Sequence, residues 1–220
     1  MERTRITRLA DRARTELEEL HALLDAVPLA HIGLVTAAGS PVVIPTAVAR
    51  DGDHVLIHGS TGSPWMRRLA GGAEACVTVT ALDALVVARS GFESSYRYRS
   101  AVLFGRFSVV SGTEKERALD VVVDRLIPGR VGELRRPRAR ELAATLLLAM
   151  PVTEWSLKVA DGWPEDDTDD VTGPAWAGIL PVASGFGVPQ PAPDLRSGIE
   201  IPPSVGALAP SPDPAPHPCD

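Results

Sequence analysis

Cysteine is scarce in this sequence, with two in 220 residues. Cys76 lies in an apolar, strand-like run and Cys219 lies close to the end. That number and placement exclude a disulfide framework and a cysteine-based metal site, and no metal is expected. An excess of positive charge is missing too. Lys and Arg number 22 against 28 Asp and Glu, the formal charge is −6 and the pI is near 5.4. Nucleic-acid binding rests on clustered Lys and Arg, so no nucleic-acid partner is expected. No apolar run reaches the ~18 residues of a membrane-spanning helix, and no membrane partner is expected. Residues 1–10 are charged and have no apolar centre, unlike a secretory leader. The expected compartment is the cytoplasm. What the chain does have is a 45% share of hydrophobic residues, ordinary for a globular protein, and enough length for one core.

The apolar pattern changes period along the chain. From Asp11 to Ala26 it is helical, with Leu17, Leu20, Leu23 and Leu24 on one face and Pro28 marking the end. Then it becomes strand-like. Ala30–Thr36 and Pro41–Ala49 are expected strands, and Arg50-Asp51-Gly52-Asp53 is a hairpin signal before Val55–Ile57. A short helix is expected near 63–71. Ala75–Thr80 and Leu85–Ala88 follow as two strands, joined by the hairpin-length Ala81–Ala84. Tyr98–Val110 is a long strand with Gly105 inside it, a position for a bulge or bend. Thr113 and Glu116 stand at capping-box positions for a helix over Glu114–Leu126, stopped by Pro128-Gly129. Arg138–Leu148 is an expected helix broken by Pro151, and Val152–Val159 an expected last strand. Six short strands in hairpin order argue for an antiparallel barrel rather than a βαβ sheet.

From Asp161 the character shifts. Residues 165–170 form an acidic loop, either a solvated surface or an oxygen-rich cation site. Ten of the 20 prolines fall within residues 187–220, which excludes helix or central strand there. The expected division is an N-terminal helix over 1–27, a barrel with inserted helices over 28–160, an extension packing on it over 161–190, and a Pro-rich tail over 191–220, its last part either disordered or wrapped over the surface.

The segment His58-Gly59-Ser60-Thr61-Gly62-Ser63 carries the chemistry that can be read directly. It joins an expected strand to the short helix Trp65–Ala70. Unpaired N–H groups at a helix start favour anions, glycines permit close approach, and three hydroxyls add hydrogen bonds. The segment is either a phosphate cradle or an ordinary strand-to-helix turn.

Other stretches narrow that choice. They are Ile44-Pro45-Thr46, Leu56-Ile57-His58-Gly59-Ser60, Cys76–Asp83, Tyr98-Arg99-Ser100 with Phe104-Gly105, Pro128-Gly129-Arg130, Ser156-Leu157-Lys158 and Trp176-Ala177-Gly178. In this order, over roughly residues 10–190, the chain resembles the pyridoxamine 5′-phosphate oxidase-like flavin-binding split-barrel family. The branch it resembles contains the nitroimidazole-resistance proteins. The resemblance implies a mainly β fold with flanking helices: a six-stranded antiparallel Greek-key split β-barrel that is homodimeric, with FMN in a groove between subunits. It implies a cofactor-binding set of Pro45, Thr46, His58, Gly59, Ser60, Thr61, Ser63, Arg67, Arg99 and Ser100. Relatives carry a base near position 64 or 65, where this chain has Pro64 and Trp65; Arg67 is the nearest substitute.

The function implied is an FMN-dependent oxidoreductase acting on a small molecule. The cofactor carries the chemistry and the protein binds and orients it. His58 is the one catalytic candidate, either facing the cofactor or closing its strand by a hydrogen bond. Arg99 is costly to bury unpaired, so it meets a carboxylate or an anionic ligand. Trp155, Trp163 and Trp176 read as packing residues. The alternatives are a flavin-binding protein without turnover, and the same barrel using deazaflavin or haem.

Overall fold

The computed structural model describes residues 3–210. In chain order its elements are β1 (Ala13–Arg14), α1 (Leu17–Ala26), β2 (Leu29–Val35), β3 (Pro41–Ala47), β4 (Ala49–Asp51), β5 (His54–Ser60) and α2 (Pro64–Ala70). Then come β6 (Glu74–Val87), β7 (Ser95–Arg106), β8 (Ser108–Val109), α3 (Gly112–Leu126), α4 (Ala139–Ala144), β9 (Thr145–Pro151) and β10 (Glu154–Ala160). The chain ends with α5 (Thr168–Val171), β11 (Gly178–Pro181) and α6 (Pro203–Gly206). Every strand pairing is antiparallel. The larger sheet runs β1-β10-β7-β6-β2-β3, with β11 beside the far half of β6; the smaller runs β4-β5-β9-β8. The expected mainly β, antiparallel fold with flanking helices is the one the chain adopts.

The two sheets enclose one core. Ile32, Val77 and Leu103 point into it from the larger sheet, and Val55, Ile57, Leu148 and Met150 from the smaller. Leu20, Leu23 and Leu24 of α1, with Met66 and Leu69 of α2, join the same cluster. Full burial of each such side chain contributes about 1.5–3 kcal/mol. A second cluster lies under α3, where Ala118 and Val122 pack on Leu56 and Leu147.

Several segments differ from expectation. Helix α1 begins at Leu17, not Asp11, because residues 11–16 hold only Ala13 as an apolar residue, and Ala13-Arg14 pairs with Leu157 and Lys158 instead. The two strands expected around Ala81–Ala84 are one, β6. That connector has no Gly, Pro or Asn to reverse the chain, and it continues through a register shift at Asp83. Arg138–Leu148 is not one helix. Only Ala139–Ala144 is helical; Leu146–Met150 belongs to β9, a central strand between β5 and β8. A strand buried on both faces is a continuous apolar run, and period cannot separate it from a buried helix.

The strand expected over Tyr98–Val110 crosses between sheets at Phe107. Gly105 sits just before that crossing, where a Cβ would lie 3.1 Å from Met150 Sδ. Helix α3 starts one residue before Thr113, after Ser111, without a side-chain cap. The hairpin signal at Asp51-Gly52-Asp53 is met, with Gly52 at φ 56.

No helix among the described residues is long and apolar enough to cross a membrane. The Pro-rich segment, where no helix was expected, holds the single-turn α6, because Pro203 stands at its start, where a missing N–H costs nothing; its last ten residues, 211–220, lie outside the described residues.

Candidate functional site

The loop after β5 spends its backbone donors within the chain. Thr61 N–H donates to Ala144 O at 3.0 Å and Ser63 N–H to Ser60 O at 3.0 Å. Gly62 N–H donates to Ser60 Oγ at 3.1 Å. Thr61 Oγ1 also donates to Ala144 O, at 3.3 Å. Pro64 opens α2 without a donor of its own. What remains for an anion, besides the Trp65 and Met66 N–H groups in the first turn of α2, is hydroxyl and guanidinium chemistry. Ser63 makes no side-chain cap bond. Arg67 is exposed and has no ion-pair partner among the described residues, whereas Arg68 Nε donates to Val35 O at 3.2 Å. Gly59 serves packing: a Cβ there would come within 3.0 Å of Met66 Cγ, so the close approach that requires glycine is by α2.

His58 is half-buried on β5. Val55 and Ile57 point into the main core and Leu56 under α3. Alternation along a strand puts His58 on Leu56's face, opposite Leu147. Its Nδ1 is buried and has no hydrogen-bond partner among the described residues. Burial pushes its pKa below the usual histidine value. The ring is therefore neutral at pH 7, with Nδ1 an orphaned buried polar atom. The other buried ring nitrogen without a hydrogen bond, His21 Nε2, does have a carboxylate nearby, Asp53 Oδ1 at 3.3 Å.

Tyr98-Arg99-Ser100 divides between two faces of β7. Arg99 meets a carboxylate: its Nε donates to Asp83 Oδ2 at 3.0 Å and its Nη2 to Asp83 Oδ1 at 2.8 Å. This pair raises the Arg99 pKa, chiefly through the hydrogen bonds. Ser100 lies on the opposite face, its Oγ 3.0 Å from Thr80 Oγ1. Pro45 is on that outer face too, opposite His31, which in turn stands opposite Thr78. Thr46 points the other way, opposite the buried Ala30. Apart from Thr46 and His58, the expected cofactor residues thus occupy three places in one chain. Pro45 and Ser100 lie on the outer face of the larger sheet, Ser60–Arg67 beside the smaller sheet, and Arg99 at the β6 bulge.

None of these residues lines any of five surface cavities of about 230–760 Å³. The outer face of the larger sheet is open, with Val43 64% and Val35 51% exposed.

Asp83 is the residue that sequence reasoning missed, since it was placed in a turn. The available signal was a single carboxylate in an apolar run with no turn former beside it. In the acidic loop, Asp166 turns inward and accepts from Arg89 N–H at 2.6 Å and Arg89 Nη1 at 2.8 Å. Burial raises its pKa, but these bonds outweigh it and hold the carboxyl below the usual range. No cluster of three metal-ligating side chains occurs among the described residues. Trp155 packs on the main core, Trp163 lies under Arg97 at 5.1 Å, and Trp176 covers Gly178, where a Cβ would fall 2.8 Å from its ring.

Known proteins with the same architecture exist. The family model for pyridoxamine 5′-phosphate oxidase matches residues 16–159. A solved FAD and heme binding protein from Mycobacterium smegmatis is 51% identical, with 90% of this chain and 97% of that one covered and a TM-score of 0.86. The flavocytochrome Anf3 from Azotobacter vinelandii is 36% identical, covering 94% and 97%, with a TM-score of 0.87. A nitroimidazole-resistance-type protein from Bacteroides thetaiotaomicron, 17% identical over 67% of this chain and 86% of that one, shares the fold with a TM-score of 0.58. No curated protein matches the chain. By the extent of the family match and of the 51% identity, the chain belongs to the pyridoxamine 5′-phosphate oxidase family.

Proposed function

We propose that this chain is a flavin-dependent oxidoreductase that works as a homodimer, with the flavin held between two copies and a small molecule as substrate. The observation that carries the reading is the separation of the expected cofactor residues. Pro45 and Ser100 on the open sheet face and Ser60–Arg67 beside the smaller sheet line none of the five cavities of one chain. Two copies sharing the open face would bring one copy's strand residues to the other's loop. The open face is apolar and hydroxyl-bearing, which suits both a subunit contact and a flat ring.

The residues present fit a flavin with one qualification of chemistry. The phosphate end would be held by Arg67, the hydroxyls of Ser60 and Ser63 and the N–H groups of Trp65 and Met66, because those of Thr61, Gly62 and Ser63 are already bonded. Arg67 is unpaired among the described residues and supplies the charge-assisted bond. When bound, the flavin supplies hydride or electron transfer; the chain binds it, orients it and shields one face. FMN is what the sequence resemblance implied. The names of the 51% and 36% identical relatives, an FAD and heme binding protein and a flavocytochrome, favour FAD.

A second reading adds haem. It rests on the buried, unpartnered Nδ1 of the neutral His58, an orphaned atom of the kind that ligates iron, together with those relatives' names.

The test is the absorbance of the purified chain, mass identification of what is released on denaturation, and its molar mass in solution. A yellow dimer whose flavin bleaches under anaerobic reductant supports the reading. A colourless monomer that neither FMN nor FAD stabilises thermally would sink it. For haem, His58→Ala should abolish a Soret band while leaving flavin content unchanged.

A further inference from the structure

The largest of the five cavities lies away from every residue placed so far. It has a volume of about 760 Å³ and sits between residues 189–205 and the turn Arg130–Glu133. Its outer wall is built by chain beyond the family match, which ends at residue 159. The wall is pinned at one point. Ser204 N–H donates to Glu133 Oε1 at 3.0 Å, and Ser204 Oγ to Glu133 Oε2 at 2.5 Å. Arg130 Nη1 donates to the same Oε2 at 2.9 Å.

The lining is mainly apolar, yet it is not closed on itself. Leu195, Ile199 and Ile201 line the cavity and are 47%, 50% and 59% exposed. A strap that merely covered the barrel would bury those side chains against it, at about 25 cal/mol per Å² of apolar area removed from water. Instead the space left has the size of a small-molecule site. The described lining holds no His, Cys, Met or Tyr, so it offers no iron ligand and is separate from the haem reading.

Charge selects the class of ligand. Arg130 and Glu133 neutralise each other, and both oxygens of Glu133 are engaged. Glu200 also lines the cavity and has no cationic partner among the described residues. The wall therefore carries one uncompensated negative charge beside apolar surface. A carboxylate ligand would add a like charge next to Glu200, and would find Arg130 already neutralised by its bond to Glu133.

We propose that this cavity is a second ligand site, for an amphiphilic amine. The apolar body lies against Leu195, Ile199 and Ile201, and the ammonium meets Glu200. This proposal does not depend on the flavin reading, since no expected cofactor residue lines the cavity.

The test uses the full chain and a neutral apolar fluorophore, N-phenyl-1-naphthylamine, displaced by octylammonium or by octanoate below their micelle concentrations. One probe should bind per chain. Octylammonium should displace it at a concentration about tenfold lower than octanoate, the effect of one favourable against one unfavourable charge contact. Glu200→Gln should remove that difference, and Ile201→Trp should abolish probe binding by filling the space. Leu195→Trp, at another exposed position, serves if the first variant does not fold. The proposal is overturned if no probe binds, if octanoate competes equally, or if both tryptophan variants still bind the probe. A wild-type chain that binds no probe, and whose dimer dissociates with Ile201→Trp, would assign the surface to a second copy and equally overturn it.

Discussion

Arg99 grips Asp83 across the β6–β7 pair with two parallel hydrogen bonds, 3.0 and 2.8 Å long, at the point where β6 slips register. The pair explains why the strand continues where a turn was expected. Asp83 is turned toward Arg99, while its carbonyl accepts from Val182 N–H at 2.9 Å and so ties β11 to the bulge. Both side chains are 36% exposed, so the pair is worth no more than about 1 kcal/mol.

Asp83→Ala and Arg99→Ala should therefore each destabilise the chain by up to about 1 kcal/mol, and the double variant by little more than either. Flavin content distinguishes structure from cofactor contact. With a purely structural pair, both variants retain flavin equally. If Arg99→Ala alone loses flavin, the guanidinium also serves the cofactor and Asp83 only positions it.

Arg67 and Arg68 give a sharper contrast. They are neighbours on one turn of α2, but Arg68 is committed to Val35 O and Arg67 is free among the described residues. Arg67→Ala should weaken flavin binding by about tenfold, the loss of one partly solvated charge-assisted bond. Arg68→Ala should leave it unchanged and instead lower thermal stability slightly. Titration of the flavin-free protein with FMN and with FAD measures both. Equal effects of the two substitutions would remove Arg67 from the site.

Gly59 tests the packing account of the loop. A methyl group there meets the fully buried Met66 at 3.0 Å. Overpacking of this kind costs about 1–3 kcal/mol, and the flexibility of methionine places Gly59→Ala at the low end. Denaturant unfolding should show a loss of about 1 kcal/mol, and the same substitution should cost less when made in a Met66→Ala background. An unaltered midpoint in Gly59→Ala alone would mean that Met66 moves aside freely and that the glycine answers to a ligand after all.

How far the sequence reveals this protein depends on which force decides each segment. Where one face is buried, the pattern is legible: Leu20, Leu23 and Leu24 mark α1, and Ala30, Ile32 and Leu34 alternate along β2. Where both faces are buried, as at Leu147 and Leu148 in β9, the period vanishes and strand passes for helix. The β6 bulge was hidden because the partner of its Asp83, Arg99, lies 16 residues away in sequence. At the site, the loop at Ser60 and the short helix behind it stand where expected. The use of their N–H groups by Ala144 and Ser60 could not be read, because it depends on the position of β9. Nothing in the sequence indicated that Ser204, in a Pro-rich segment, would reach back 71 residues to Glu133.

That last contact makes stability of the C-terminal strap depend on pH. The Glu133 carboxyl is held below the usual range, first by the Ser204 hydroxyl, then by the Ser204 N–H and, against the opposing effect of burial, by Arg130. A carboxylate with a lowered native pKa contributes stability above its unfolded value of about 4.3, and loses it as the pH falls through the native value. Acidification below about pH 4 should therefore release residues 189–205 while the barrel core persists. Hydrogen exchange at the Ser204 amide should accelerate in acid beyond the intrinsic rate, whereas amides of β9 keep their protection. Glu133→Ala should show the released pattern already at pH 7, and Ser204→Ala an intermediate one, since the backbone N–H bond survives. If Ser204 stays protected in Glu133→Ala, the strap is held by its apolar contacts and not by this carboxylate.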